Sequence, residues 1–261
     1  MSLHDEELVS DRTRVDEPLL EVEGFRKEFG GITALDGADI QVADGEIVGI
    51  VGPNGAGKST LFNCVMGVHK PTAGSCFLDG TEITGMRTPA VVQRGIARTF
   101  QIPRVYPELT VRENMRVSQP HDDESIMKTL IQRTDDTIET RIDELLAFMG
   151  LSRLADQPAK NLSTGQKKLL GIAATRVSDP DIVLLDEPAA GVNPGLVDEI
   201  VDSILELNDE GSTFLVIEHE MDVIRRICDY VYVLADGTNL TEGEPSTALE
   251  DPRVLEAYFG R

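Results

Sequence analysis

The stretch that decides the fold runs from Glu46-Ile-Val-Gly-Ile-Val51 into Gly52-Pro-Asn-Gly-Ala-Gly-Lys-Ser59. Its first half is a continuous apolar run, which is typical of a strand buried on both faces of a parallel sheet. Its second half matches the phosphate-loop pattern G-x-x-x-x-G-K-[ST] in full, and an amphipathic helical pattern follows over residues 58–68. The sequence therefore predicts a strand, a phosphate-binding turn and a helix, in that order.

The phosphate loop is predicted to bind a nucleotide. The backbone N–H groups of such a loop, together with the positive end of the following helix, form a concave site for the β-phosphate. Lys58 can reach the β- and γ-phosphates, and the Ser59 hydroxyl can ligate Mg²⁺. The predicted nucleotide-binding residues are Gly52, Pro53, Asn54, Gly55, Ala56, Gly57, Lys58, Ser59 and Thr60. This motif alone does not distinguish one P-loop enzyme from another.

A second apolar run, Ile182-Val-Leu-Leu-Asp186-Glu187-Pro188, ends in two carboxylates. A carboxylate at the tip of a strand beside the phosphate loop can hold Mg²⁺, so Asp186 is a predicted metal ligand. Glu187 then lies where it can polarise the attacking water, and we predict that it is catalytic. In isolation, two acids after an apolar run would be an ordinary entry to a loop. The phosphate loop favours the catalytic interpretation.

The composition bounds the class of protein. The chain has 261 residues, of which 41% are hydrophobic and 27% charged, as in a globular protein of one large or two small domains. Its 24 basic and 46 acidic residues give a net charge of −22, so no nucleic-acid partner is expected. The sequence has no apolar run long enough for a membrane span and no usual secretory signal, and its three scattered cysteines fit a reducing cytosol.

The excess of acidic residues predicts adaptation to high salt. So many like charges repel one another unless counterions screen them. We therefore expect a halophilic protein from a salt-rich cytoplasm. An ordinarily acidic enzyme is the alternative, and the sequence leaves it open.

The order of strand and helix patterns indicates an interrupted α/β fold. Residues 1–17 are acidic and lack apolar periodicity, so we predict a flexible tail before a folded domain over 18–261. Strand and helix patterns alternate near both ends of that domain, which is typical of βαβ units. Between them, over about 102–178, helical patterns dominate. We predict a helical subdomain there, inserted in the nucleotide-binding core.

The third motif is Asn161-Leu-Ser-Thr-Gly-Gln166, which begins a helical pattern. A serine at a helix N-terminus can form an anion site, although it can equally be a simple helix cap. The motif lies after Gln101 and before Asp186 and His219, an order that resembles the ATP-binding subunit of an ABC transporter. The resemblance covers nearly everything after residue 18. It implies a P-loop NTPase (RecA-like) core with an antiparallel β subdomain and an inserted helical subdomain.

The resemblance gives roles to residues near the phosphates. Gln101, in Ala97-Arg-Thr-Phe-Gln, resembles the glutamine that contacts Mg²⁺ or water and senses the γ-phosphate. His219 resembles the switch histidine that stabilises the γ-phosphate in the transition state. The implied catalytic residues are thus Glu187 and His219, and the implied metal ligands are Ser59, Gln101 and Asp186.

The resemblance also implies which residues contact the adenine and which contact the nucleotide of the second protomer. Phe29, in Lys27-Glu-Phe-Gly, resembles the aromatic residue that stacks on adenine, although a core role is the alternative. The signature motif resembles the one that closes on the γ-phosphate held by the other protomer. Its residues here are Ser163, Thr164, Gly165 and Gln166.

Two positions depart from the common family pattern. Thr164 replaces the second glycine often found in the signature, which is tolerated if its backbone φ is negative. Asn193, in Ala190-Gly-Val-Asn193, stands where many members have an aspartate, and it keeps hydrogen bonding without the charge. With the closing Asp251-Pro-Arg-Val-Leu-Glu-Ala-Tyr-Phe-Gly, these variants resemble the branched-chain amino-acid importer branch. Subunits serving urea or short amides would look similar.

The resemblance implies ATP and Mg²⁺ as cofactors and a head-to-tail dimer with itself or with a second ATPase subunit. It also implies membrane permease subunits, an indirect extracytoplasmic solute-binding protein, and a peripheral location at the cytoplasmic face of the cell membrane. A soluble, non-transport ABC ATPase of DNA repair or translation is the alternative, although the long coiled coils usual in that class are not found in the sequence. Residues 162–166, and the lack of an N-K-x-D sequence, argue against a P-loop kinase or GTPase.

Overall fold

The computed structural model describes residues 14–99, 105–119 and 136–259. Its strands are β1 (Leu20–Phe29), β2 (Ile32–Val42), β3 (Ile47–Val51), β4 (Ala73–Leu78), β5 (Thr81–Glu82), β6 (Ile96–Arg98), β7 (Ile182–Asp186), β8 (Thr213–Ile217), β9 (Tyr230–Ala235) and β10 (Thr238–Gly243). Its α-helices are α1 (Lys58–Val65), α2 (Thr88–Gln93), α3 (Val111–Val117), α4 (Asp136–Phe148), α5 (Thr164–Arg176), α6 (Pro194–Asp209), α7 (Met221–Ile227), α8 (Pro245–Ala248) and α9 (Pro252–Phe259). Short 3₁₀ turns occupy Ser152–Leu154 and Ala159–Asn161.

The strands form two sheets of different character. A four-stranded antiparallel sheet has the order β2-β1-β4-β5, and a six-stranded sheet has the order β10-β9-β3-β8-β7-β6. In the larger sheet β9, β3, β8, β7 and β6 are parallel, whereas β10 is antiparallel to β9. Parallel strands end at a common edge, where α/β proteins bind their ligands. Gly52, Glu187 and Glu218 directly follow β3, β7 and β8, so this edge receives the predicted site.

Two hydrophobic clusters cover the two faces of the six-stranded sheet. Along β7, Ile182 and Leu184 belong to the cluster shared with the antiparallel sheet and α1, whereas Val183 and Leu185 belong to the cluster shared with the helices of the other face. Every residue of β3, β7 and β8 is buried. The expectation that the phosphate loop and the two carboxylates follow doubly buried strands is confirmed.

The helices α3, α4 and α5 lie in the part of the chain where we predicted a helical subdomain. Met115 of α3, Leu145 of α4 and Leu169 of α5 are buried in one cluster. Residues 100–104 and 120–135 lie outside the described residues, so the boundaries 102–178 stay a prediction. The arrangement is α/β, with a mainly parallel sheet that carries the phosphate loop, a second antiparallel sheet, and helices inserted between β6 and β7.

The helix after the phosphate loop is shorter than its apolar pattern predicts. The pattern extends to residue 68, whereas α1 ends at Val65. Gly67 has φ +67°, and a Cβ at Gly67 would overlap the carbonyl oxygen of Met86. The chain therefore has to leave the helix before Gly67 to pass close to that backbone. The polar edge strand β10, at residues 238–243, has no apolar alternation and was not predicted.

Of the predicted flexible tail over residues 1–17, residues 1–13 lie outside the described residues, and the tail stays a prediction. Arg14 is half-buried and donates to Glu46 Oε1 at 2.6 Å and to the Gln41 carbonyl oxygen at 2.6 Å. Its guanidinium also lies 4.1 Å from the centroid of the Tyr230 ring.

Within the described ranges, no helix has the length and apolarity that a membrane-spanning segment needs.

Candidate functional site

The phosphate loop lies between β3 and α1, and its glycines determine its shape. Gly52 has φ +149° and Gly57 has φ +102°, values that side chains rarely tolerate. A Cβ at Gly52 would overlap the carbonyl oxygen of Leu234, and a Cβ at Gly57 would overlap that of Ala34. A Cβ at Gly55 would instead face open space. The loop therefore touches two neighbouring backbones on one side and is open on the other.

The start of α1 can hold an anion. Gly57 is the N-cap of α1 and no side chain caps it, so the first N–H groups of the helix can bind a phosphate. The ammonium of Lys58 donates to the carbonyl oxygens of Gly52 at 2.6 Å and of Pro53 at 3.0 Å. Burial lowers the pKa of Lys58, whereas the negative charges of Glu187 and Asp186 act in the opposite direction. The backbone and the cation predicted to hold ATP are thus in one place.

Two contacts from the C-terminal part of the chain hold the loop. The N–H of Gly52 donates to the phenol oxygen of Tyr258 on α9 at 2.6 Å, across 206 positions of sequence. The N–H of Gly237, in the turn between β9 and β10, donates to the carbonyl oxygen of Ala56 at 3.1 Å. Burial raises the pKa of Tyr258, so its hydroxyl stays protonated. The loop is consequently positioned by residues that follow it by about 180 positions or more.

Asp186, a predicted metal ligand, is the last residue of β7 and is buried. Its Oδ2 accepts a hydrogen bond from Arg98 Nη2 at 2.7 Å, and Arg98 Nη1 donates to Asn63 Oδ1 of α1 at 2.7 Å. The N–H of Asp186 donates to the hydroxyl of Thr99 at 3.1 Å. Arg98 thereby connects β6 to the carboxylate and to the helix that follows the phosphate loop.

Glu187 and His219, the predicted catalytic residues, are in direct contact. Glu187 Oε1 lies 2.9 Å from His219 Nε2. The N–H of Glu187 donates to the carbonyl oxygen of Ile217 at 2.9 Å, and its own carbonyl oxygen accepts from the ammonium of Lys168 at 2.6 Å. Glu187 has φ +50°, a strained conformation that persists only where surrounding contacts impose it.

Glu218 directly follows β8 and is almost completely buried. Its carboxylate accepts hydrogen bonds from the N–H groups of Ala189 at 2.7 Å, His219 at 2.9 Å and Glu220 at 3.4 Å. Burial raises the pKa of Glu218, and these three hydrogen bonds oppose the rise. The carboxylate therefore connects the segment after β7 with the segment that carries His219.

The signature residues form the N-terminus of α5. Ser163 caps the helix: its hydroxyl accepts from the Gln166 N–H at 3.2 Å, and Gln166 Oε1 accepts from the Ser163 N–H at 3.0 Å. Thr164 is in the first helical turn, where φ is negative, so the condition for tolerating it is met. Gly165 packs against Leu196, which a Cβ would overlap. No hydrogen bond among the described residues joins the signature to the phosphate loop.

Phe29 ends β1 and is 39% exposed, which argues against the core alternative. The Lys27 ammonium lies 4.8 Å from the Phe29 ring centroid, and the His69 ring meets it edge-on at 5.1 Å. An exposed ring of this kind can stack on a base. Its contact with adenine stays a prediction.

The residues predicted to bind Mg²⁺ are only partly described. Ser59 lies in the first turn of α1 and Asp186 ends β7; hydroxyl and carboxylate oxygens are the ligands that Mg²⁺ prefers, so their chemistry fits the ion. Gln101 lies outside the described residues. Within the described ranges, no cluster of three or more His, Cys, Asp and Glu side chains could hold a metal ion alone. A Mg²⁺ ion at this site would need phosphate oxygens as well, as in other P-loop enzymes.

A phosphate loop after β3, an acidic pair at the end of β7 and a histidine after β8, all at one edge of the sheet, define a P-loop ATPase. Residues 35–190 match the family model described as ABC transporter. The Escherichia coli (strain K12) high-affinity branched-chain amino acid transport ATP-binding protein LivG is 38% identical over 251 residues, which are 94% of this chain and 98% of that protein. Its Pseudomonas aeruginosa counterpart BraF is 36% identical over 250 residues, 93% of this chain and 98% of that protein.

A solved structure agrees with these relatives. The ADP conformation of an ATP-binding cassette of an ABC transporter has a TM-score of 0.84 and 37% identity, and the match covers 94% of this chain and 99% of that one. The chain belongs to the ABC transporter family. Its fold class, its ATP binding and its ATPase class are thereby confirmed.

Sequence reasoning missed four buried or half-buried polar residues around this site. They are Arg98, Lys168, Glu218 and Tyr258. Each lies next to or inside a recognised motif, but no sequence pattern indicates which residue its side chain contacts. The available signal was a charged or phenolic side chain at a position that the apolar periodicity assigns to the interior.

Proposed function

We propose that this chain is the ATP-binding and hydrolysing subunit of an ABC importer for branched-chain amino acids. The catalytic part rests on the 2.9 Å contact between Glu187 Oε1 and His219 Nε2, at the sheet edge that also carries the phosphate loop. The solute is supported by the names of the E. coli and P. aeruginosa relatives. A urea or amide importer and a soluble non-transport ABC ATPase have no comparable support.

In this proposal the loop at residues 52–60 binds the phosphates. The N–H groups at the start of α1 and the ammonium of Lys58 hold the β- and γ-phosphates, and Phe29 stacks on the adenine. Ser59, Gln101 and Asp186 hold Mg²⁺, which neutralises phosphate charge when it is bound. Arg98 donates to both Asp186 and Asn63, and so holds the carboxylate of Asp186 near α1.

The catalytic step belongs to the residues after β7 and β8. The Glu187 carboxylate orients the attacking water and takes up its proton. His219 Nε2 contacts Glu187 in this structure. We infer that the imidazole donates a hydrogen bond to the γ-phosphate once ATP is bound. Because Glu187 and His219 are fixed by Lys168 and Glu218 respectively, the catalytic pair is positioned before the nucleotide arrives.

The signature residues act on a second protomer in this proposal. They are Ser163, Thr164, Gly165 and Gln166, and they lie at the N-terminus of α5, where the helix dipole favours an anion. ATPase subunits of this family form dimers and work with membrane permeases. We infer a head-to-tail dimer, with itself or with a second ATPase, in which each site is completed by the partner's signature.

The permease partners and the location follow from the same assignment. We propose that the helical subdomain at about 102–178 contacts permease subunits at the cytoplasmic face of the membrane, with a solute-binding protein acting on the other side. Affinity purification of the chain from its own membranes at high salt tests this. Two polytopic permeases and a second ATPase are expected, whereas recovery of soluble partners alone would favour a non-transport ABC ATPase.

Two substitutions test the ATPase. Glu187→Gln keeps the shape of the side chain but removes the base, so ATP still binds while turnover falls at least about 100-fold. Lys58→Ala removes the phosphate-binding cation, so the Kd for ATP rises at least about tenfold. Fluorescence titration with a labelled ATP and phosphate-release assays measure these quantities, with thermal melting as a check on folding. Normal turnover in the first variant would exclude Glu187 as the base, and unchanged affinity in the second would contradict the phosphate-loop assignment.

We also propose that the protein is halophilic. The net charge of −22 is the observation that supports this, because screening relieves repulsion among carboxylates. The melting temperature of the purified chain should rise between about 0.1 M and molar potassium chloride. A melting temperature that does not rise over that range would favour an ordinarily acidic enzyme.

A further inference from the structure

Lys168 joins two parts of the site that belong to different nucleotides in a dimer. It lies on α5, five positions after Ser163 at the start of the same helix, and it is 7% exposed. Its ammonium donates to the carbonyl oxygen of Glu187 at 2.6 Å. One rigid helix thus begins with the signature and contacts the proposed base.

A cavity of about 260 Å³ lies beside this contact, between α5 and the ends of β6 and β7. Its lining includes Ala97 and Arg98 from β6, Asp186 from β7, and Lys168 and Gly171 from α5. The hydrogen bond from Lys168 crosses from α5 to the residue after β7 at the wall of this cavity.

The acceptor is an atom whose position matters for catalysis. Glu187 holds the left-handed conformation with φ +50°, and its carbonyl oxygen also accepts from the N–H of Ala190 at 3.2 Å. A hydrogen bond from a buried ammonium is stronger than one between neutral groups. A shift of the ammonium therefore moves the peptide after Glu187, and with it the direction of the carboxylate toward His219.

Two opposing effects act on the Lys168 ammonium, and burial is the larger of them. Burial lowers the pKa of Lys168, whereas the carboxylates of Glu218, Glu187, Asp186 and Glu220 act in the opposite direction. An apolar side chain of the same length would keep the packing and lose both the charge and the donated hydrogen bond.

We propose that Lys168 is a positioning residue that transmits the engagement of the signature to Glu187 of the same chain. This rests on the proposed function, in which the signature closes on the nucleotide held by the partner. When that nucleotide draws the N-terminus of α5 toward it, α5 moves as a unit, and Lys168 carries the displacement to the Glu187 carbonyl. The nucleotide in one site thereby sets the geometry of the base in the other.

The first test compares neighbouring lysines of the same helix. In the full chain, assembled with the subunits that co-purify with it, Lys168→Met should lower kcat about tenfold and leave KM and the Kd for ATP within threefold. Lys168→Arg, which keeps a cationic donor, should recover part of kcat. Lys167→Met, at the adjacent and partly exposed position, should leave kcat unchanged. A loss of kcat smaller than threefold in Lys168→Met, or an equal loss in Lys167→Met, would overturn the proposal.

The second test asks whether Lys168 acts on behalf of the signature. Ser163→Ala weakens the signature, and the double variant Ser163→Ala/Lys168→Met measures the coupling. If the two residues act in one chain of contacts, the double variant loses at least threefold less in kcat than the product of the single losses. Losses that multiply to within threefold would mean that the residues act independently, which refutes the transmission. A wild-type chain without any ATP turnover would instead contradict the proposed function itself.

Discussion

The phosphate loop and the carboxylate edge lie side by side, but they are held in different ways. The loop is held by backbone: Gly52 fits against the Leu234 carbonyl, Gly57 against the Ala34 carbonyl, and the N–H of Gly237 donates to the loop. These contacts exist because side chains are missing at the glycines. The shape of the loop is therefore encoded in a short run of residues that a motif can capture.

The carboxylate edge is held by buried charged side chains instead. Arg98 pairs with Asp186, Lys168 donates to the Glu187 carbonyl, and Glu218 accepts three backbone N–H groups. Arg98 lies on β6, Lys168 lies on α5, and Glu218 directly follows β8. Buried charges are costly unless they are paired. The carboxylate edge therefore depends on complete hydrogen-bond networks, whereas the loop depends on the close approach of its glycines to neighbouring backbone.

The loop should be disrupted more strongly than the carboxylate edge by a glycine-to-alanine substitution. Gly52→Ala places a Cβ onto the Leu234 carbonyl oxygen at φ +149°, so we expect a loss of about 4 kcal/mol in the free energy of unfolding and no measurable ATP binding. Gly55→Ala is the matched control, because its Cβ meets open space and only the φ of +87° is unfavourable, at about 1 kcal/mol. Urea denaturation and ATP titration measure both. Equal losses for the two variants would contradict the close approach at Gly52.

The carboxylate edge should break when one member of a buried pair is removed. Arg98→Met leaves Asp186 buried with an uncompensated charge, so we expect a loss of about 3 kcal/mol in the free energy of unfolding. Arg225→Met removes a cation from a 3.8 Å pair with Asp222 that is largely exposed, and it should cost less than about 0.5 kcal/mol. Chemical denaturation in the same buffer compares the variants. A similar small cost at both arginines would mean that the Arg98 pair is solvated in solution.

Tyr258→Phe tests a contact between the loop and the C-terminal helix. It leaves the ring in place but removes the acceptor of the Gly52 N–H, so we expect a cost of about 1 kcal/mol and an ATP affinity lowered by a few-fold. Because the loss concerns the geometry of the loop and not the base, kcat at saturating ATP should not change. A lowered kcat with unchanged affinity would show that the contact serves another step.

The sequence is informative where the chemistry is local. The strand, glycines and Lys58 of the phosphate loop occupy 13 consecutive positions from Glu46 to Lys58, and β3 and α1 were predicted from them. Asp186 and Glu187 were likewise predicted at the tip of a buried strand. In each case consecutive residues determine the local backbone conformation, so a short sequence pattern is enough to predict the structure.

The sequence is uninformative where partners are far apart. Nothing near Tyr258 indicates that its hydroxyl meets Gly52, and nothing near Lys168 indicates a carbonyl 19 positions away. Such contacts depend on the crossing of helices and strands, which no local period specifies. The end of α1 combines both kinds of information: the left-handed Gly67 is a local stop signal, whereas its close approach to the Met86 backbone is not local.

The smallest effect is expected beside the cavity at the carboxylate edge. Gly171 lies inside α5 beside the cavity, and a Cβ there meets nothing within 4 Å. Gly171→Ala should raise the free energy of unfolding by up to about 1 kcal/mol, because alanine loses less conformational entropy in a helix. Differential scanning calorimetry should show a melting temperature about 2 °C higher, with kcat unchanged.

The same substitution at Gly165 of α5 should have the opposite sign, because its Cβ would overlap Leu196. The pair compares a position with space for a methyl group, Gly171, with one that has none, Gly165. A lower melting temperature for Gly171→Ala would mean that the cavity is filled in solution. In that case neighbouring atoms occupy the space beside Lys168, and the charged edge would share the close packing of the loop.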